Sequence, residues 1–159
     1  MNEHDGNDTR SPTHLSHYGR LLLMALLSFA SMYVLMYAMV DTAANAIPNL
    51  NQVYMAALMT APMVVMELLM MRAMFPDKRR NALILGAAVL LGVASFAMIR
   101  RQTGISDEQF LRSMIPHHAG AILMCGKAPI SEPAVRELCR GIIAGQQAEI
   151  AQMKTLLAR

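Results

Sequence analysis

Leu21–Val40, LLLMALLSFASMYVLMYAMV, runs for 20 residues without a charged side chain. About 20 helical residues cross the ~30 Å hydrocarbon core of a bilayer. Two later stretches have the same character. Val53–Met71, VYMAALMTAPMVVMELLMM, has Glu67 and no other charge, and Ala82–Ile99, ALILGAAVLLGVASFAMI, has none. A soluble core helix of this length would carry a polar face, and these stretches carry none. The pattern predicts three membrane spans, over about 21–40, 53–74 and 82–99.

Composition agrees. Of 159 residues, 55% are hydrophobic and 16% charged, against roughly 25% charged in an average soluble domain. The first span is longer than the 7 to 15 apolar residues usual in a signal peptide. Ala44-Asn45-Ala46 keeps cleavage open, but an uncleaved anchor is the better reading. The formal net charge is +3, and the basic residues cluster at span boundaries instead of lining one face. That excludes nucleic acid as a partner and names the lipid bilayer. With no tryptophan in the chain, interface anchoring falls to Tyr18, Tyr33, Tyr37 and Tyr54.

Three regions follow. Residues 1–17 are polar and read as a disordered tail, whose His4, His14 and His17 are best taken as solvated. Residues 18–101 form the transmembrane region, and 102–159 a water-facing segment. The connection between the second and third spans holds Arg72, Lys78, Arg79 and Arg80, while that between the first and second holds no Lys or Arg. By the positive-inside rule the tail is cytoplasmic and 102–159 lies outside. Arg100 and Arg101 stand against this, two basic residues to four.

In the last region Ser106 with Gln109 forms a capping box that opens a helix running to about Lys127. Ala128-Pro129-Ile130 breaks it, and Ser131 caps a second helix, with Glu132 and Pro133 suited to its first turn. The two make an antiparallel hairpin of fewer than 60 residues, which cannot bury much core by itself. It pairs with a second copy or leans on the spans. On the first helix Phe110, Met114, His117, Ala121 and Met124 share a seam, with His118 and Cys125 beside it. On the second, Val135, Cys139, Ile142, Gln146, Glu149, Met153 and Leu156 share another. Folding them together sets Met114 against Glu149, His117 against Gln146, Met124 against Cys139 and Phe110 against Met153.

Polar groups in an apolar seam need partners. Either His117, Gln146 and Glu149 bond to one another, or a metal ion binds there. Imidazole with thioether suits copper, and thioether selects Cu(I). Di-iron sites of bundle proteins use Glu-x-x-His, but Met114 and Ile115 stand three residues before His117 and His118.

The run Phe110–Met124, FLRSMIPHHAGAILM, and the later Gln146–Met153, QQAEIAQM, resemble the signature of a bacterial family catalogued as domain of unknown function 305. Its specific marks are paired His after Met-Ile-Pro, Met seven residues beyond the first His, and Gln-Gln-x-Glu-Ile-x-x-Met. The likeness covers about 50 residues. It implies an all-α fold in which three transmembrane helices precede a ferritin-like helical hairpin, as in a membrane-bound branch of the family. It also implies a periplasmic or surface location, here on the bacterial inner membrane, and a copper ion held for tolerance, buffering or delivery. The ligands it implies are Met114, His117, His118, Met124, Glu149 and Met153. Longer members have more than one hairpin, so a homo-oligomer would complete the four-helix bundle here.

Cys125 faces Leu138 in the expected pairing, one residue from Cys139. A disulfide, soft-metal ligands and small buried apolar residues remain the alternatives. Seven of the 16 methionines lie in or just past the second span, and Met55, Met59, Met63, Met66, Met70 and Met74 form one face. Met32, Met36 and Met39 form another in the first span. Such faces serve either as adaptable packing or as a path for Cu(I) or Ag(I). Glu67, an ionisable group in a span, is a functional candidate, or else it reaches toward the boundary near Arg72. Pro62 interrupts the second span, and Ala88 with Gly92 gives a small-xxx-small contact in the third. The readings carried forward are a membrane-anchored metal-binding protein working with metal-handling partner proteins, a small transport component, and a structural module without metal. No nucleophile–base pair, phosphate loop or zinc signature points to an enzyme.

Overall fold

The computed structural model describes residues 16–159, which contain five α-helices and no strand. The reading of the tail lies outside the described residues for 1–15, and Ser16 and His17 belong to the first helix. Helix α1, His17–Leu35, opens on the Ser16 hydroxyl, which accepts from Gly19 N at 3.1 Å. It tightens into a 3₁₀ turn, Met36–Met39. Helix α2, Leu50–Met70, opens on Asn49, whose side chain accepts from Gln52 N at 3.0 Å. It runs through Pro62 without a break. Helix α3, Lys78–Arg101, opens on Asp77, which accepts from Arg79 N and Arg80 N. These three are long and apolar enough to cross a membrane. Each starts before the apolar stretch that predicted it, because a polar residue caps the first turn.

Helix α2 lies between α1 and α3. Its buried face is small: Ala56, Ala57, Thr60 and Ala61. Helix α3 answers with Ala88 and Ser95, and a Cβ at Gly92 would stand 3.3 Å from the Ala61 Cβ. Small side chains let the two backbones approach, as the Ala88–Gly92 spacing predicted. At one end Leu21, Leu68 and Phe75 form a buried cluster. There the Tyr18 hydroxyl donates to Asn81 Oδ1 at 2.9 Å and accepts from Asp77 N at 3.2 Å. The Arg80 guanidinium lies over the Tyr18 ring, 5.7 Å from its centroid. The start of α1 and the basic connection before α3 thus share one end.

Helix α3 ends on Gln102, which takes the left-handed conformation with φ 49°. Thr103 N then reaches back to Met98 O at 3.0 Å, which satisfies a terminal carbonyl. Helix α4, Asp107–Lys127, opens on Ser106, which accepts from Gln109 N at 3.3 Å. The other half of the expected capping box is replaced. Gln109 Oε1 accepts from Leu50 N at 3.0 Å, so this side chain ties α4 to the start of α2. Helix α5, Pro133–Leu157, has Glu132 at its N-cap with no side-chain cap bond. Ser131, expected as the cap, instead gives its carbonyl to Arg136.

At the end of the apolar helices opposite the basic connection, the link between α1 and α2 carries one charge, Asp41. Asn45, Asn49 and Gln52 are buried there. Asn45 Nδ2 donates to Asp41 Oδ1 at 2.7 Å, and Asn49 Nδ2 to Gln52 Oε1 at 3.0 Å. Helix α4 rests on this layer. Asn51 Nδ2 donates to Ser113 Oγ at 3.3 Å, and the Tyr54 hydroxyl to Thr103 O at 2.9 Å. A Cβ on Gly120 would lie 3.4 Å from the Met39 carbonyl oxygen. Of the two supports the sequence left open, contact with the spans is present within one chain.

Candidate metal-binding site

Ile115 and Ala119 of α4 are fully buried and pack on Ile150 and Met153 of α5. Leu111, Met114, Ile122 and Leu157 surround them, and Val40 and Ile47 from the α1–α2 link close the far side. Helix α4 is therefore covered on two sides. That is why a single narrow seam misjudged its phase. The residues buried on it are Ile115, His118, Ala119 and Gly120, whereas His117 and Phe110 are exposed.

The correction carries through the pairing. Cys125 and Cys139 form a disulfide with Cα atoms 5.2 Å apart. Seven residues along each antiparallel helix from it, His118 stands level with Gln146. The expected register is thus one residue off. His118 takes the place given to His117, and Cys125, not Met124, meets Cys139. Nor do His117, Gln146 and Glu149 bond to one another: the bond to Glu149 comes from His118. Val135 and Leu156, expected in the α5 seam, are exposed.

His118 is 7% exposed. Its Nδ1 lies 2.9 Å from the Met114 carbonyl oxygen, one turn back. A carbonyl only accepts, so Nδ1 carries a proton. Its Nε2 lies 2.7 Å from Glu149 Oε2. A carboxylate also only accepts, so this contact needs a further positive charge, a proton or another cation. Donation of the second ring N–H to a backbone carbonyl is also the usual posture of a metal-bound histidine. The Glu149 side chain is 58% exposed, which opens the pair to water. Met153 is buried one turn beyond Glu149, and Met114 packs against the same cluster.

Of the six expected ligands, His118 meets Glu149 through its ring and Met114 through the backbone carbonyl, while Met153 belongs to the buried cluster against which Met114 packs. His117 sits at the rim, its ring centroid 6.1 Å from that of His118. Met124 is 53% exposed and lies six residues past His118, about 9 Å along the helix, so it stands apart. Among the described residues no three His, Cys, Asp or Glu side chains converge. A metal here would rest on mixed nitrogen, oxygen and thioether donors. That set fits a copper ion. Neighbouring Gln146 has its Oε1 buried with no hydrogen-bond partner.

Residues 91–157 match the family described as Domain of unknown function (DUF305). The chain is also 33% identical over 144 residues to "Uncharacterized protein L153" of Acanthamoeba polyphaga mimivirus, covering 86% of this chain and 90% of that protein. The chain belongs to the DUF305 family. The DUF305 match takes in the later part of α3, α4 and all of α5. The alignment with the viral protein is more than twice as long and reaches well into the apolar helices. No solved structure matches.

Proposed function

We propose that this DUF305 chain is a membrane-anchored metal-binding protein. Its helix pair holds Cu(I), or a similar soft ion, outside the cytoplasm for tolerance, buffering or delivery to metal-handling partner proteins. The observation that carries this is His118: fixed through Nδ1 by the Met114 carbonyl and aimed through Nε2 at the Glu149 carboxylate, with Met114 and Met153 one turn away on their helices. A bound ion would meet an imidazole nitrogen already oriented and a carboxylate already placed. Copper there would supply no reaction of its own, and the chain acts as a carrier, not an enzyme.

The surroundings support the rest of the reading. Arg72, Lys78, Arg79 and Arg80 stand at one end of the spans and α4 at the other, with residues 1–17 as cytoplasmic tail, 18–101 in the membrane and 102–159 outside. A Cys125–Cys139 disulfide suits an oxidising compartment such as the periplasm. Val135 and Leu138 of α5 are exposed, which leaves apolar surface for a second copy to complete a ferritin-like four-helix bundle. Cu(I) titration of the full-length protein in detergent micelles tests the site. One equivalent per chain, lost in His118→Ala, is expected. Unchanged binding in that variant overturns it.

A transport reading draws on the methionine face of α2. Met55, Met59, Met66 and Met70 are exposed and point away from α1 and α3, so a path for metal would run between copies. Ag(I) flux into vesicles that falls when Met59, Met63 and Met66 are replaced by Leu would favour it over anchoring alone.

A further inference from the structure

One buried acceptor at the level of His118 has no donor. The Met114 carbonyl takes Nδ1–H, and the Glu149 carboxylate faces Nε2. The imidazole has no third N–H. Gln146 Oε1 is buried at the same level of the helix pair and receives nothing. Buried amide oxygens without a donor are rare in folded proteins, and each lowers stability for as long as it lacks a partner. Gln146 and Glu149 are three residues apart on α5, hence on one helix face. Gln146 lies on the disulfide side of the His118–Glu149 pair, while Met114 and Met153 lie on the other. Along the helix pair, His118 and Glu149 therefore lie between an amide side chain and two methionines.

We propose that Gln146 Oε1 is a third donor beside His118 and Glu149, so that the site accepts a divalent ion of the Cu(II) class on its oxygen side as well as a soft monovalent ion on its thioether side. This rests on the metal-binding reading above and extends it to a second ion class. Imidazole and oxygen donors suit Cu(II), and thioethers suit Cu(I). An ion on the oxygen side gives the orphaned acceptor its partner.

The test uses full-length protein in detergent micelles, with Gln146→Leu and Gln146→Glu, and with Cu(II) and Ag(I) as separate probes. Gln146→Leu is expected to raise the metal-free melting temperature, because a buried acceptor without a donor is removed. The same variant should weaken Cu(II) by about tenfold and leave Ag(I) affinity unchanged. Gln146→Glu should restore Cu(II) binding while lowering the metal-free melting temperature. A lower melting temperature in the metal-free Gln146→Leu protein overturns the proposal, since the amide would then already be satisfied. Unaltered Cu(II) affinity, or equal losses for both ions, also overturns it. If the wild-type protein binds neither ion, the metal-binding reading falls with it. If the wild-type protein binds both ions and Gln146→Leu binds them equally, only the role of Gln146 falls.

Discussion

Adjacent histidines on one helix point about 100° apart, so His117 and His118 cannot do the same work. His118 is buried and bonded at both ring nitrogens, and His117 is exposed. His118→Ala should weaken Cu(I) by about a hundredfold, and His117→Ala by less than about tenfold, as read by competition with a chromophoric chelator. The motif marked both residues, but the choice between them depends on helix phase. Spacing left that phase open because the run from Met114 to Met124 is apolar on more than one side. The cysteines follow the same rule: the one-residue shift that buries His118 also brings Cys125 opposite Cys139. Their bond closes a loop with a sequence separation of 14, and such closures stabilise by about 3 kcal/mol. Cys125→Ser should lower the thermal midpoint of the protein, and a reducing agent should lower the wild type to the same value.

Among the elements, α2 and α3 are held by absence of bulk. Ala56, Ala57, Thr60 and Ala61 meet Ala88, Gly92 and Ser95, and the gain comes from the close van der Waals contact that small side chains permit. Gly92→Leu should therefore destabilise by about 1–3 kcal/mol in a detergent unfolding series. Gly86→Leu, on the same helix with nothing within 4 Å of its Cβ position, should be neutral. Small-residue spacing predicted this contact. The direction of the α2 methionines was not predictable, because a stripe of one residue type fits a packed face or a lipid-facing one equally well. Packing decides it: the alanines take the helix contact and most of the methionines stay outside.

For the whole molecule, the three apolar helices and the helix pair are joined through side chains whose spacing in the sequence points elsewhere or to no role. Gln109 caps nothing within its own helix and instead receives Leu50 N, while Asn51 reaches Ser113 and Tyr54 reaches Thr103. These bonds hold the proposed site at one end of the spans, with the basic connection at the other. If the positive-inside rule governs this chain, a reporter that folds only outside the cytoplasm, fused after Arg159, should be active. The same reporter placed between Arg72 and Lys78 should be silent. Activity in the reverse pattern would put the helix pair in the cytoplasm, where its disulfide would not persist.

Three apolar helices, two polar ones and the breaks between them were determined by the sequence alone, because twenty uncharged residues, a capping serine and a proline in the first turn each act locally. The match to the DUF305 signature was local in the same sense. Which histidine is buried, that Cys125 meets Cys139, and that Gln146 is left without a donor were decided only by the tertiary structure. Each depends on the rotation of α4 between α5 and the α1–α2 link, and that rotation is set by tertiary contacts such as His118 with Glu149 and Gly120 with Met39.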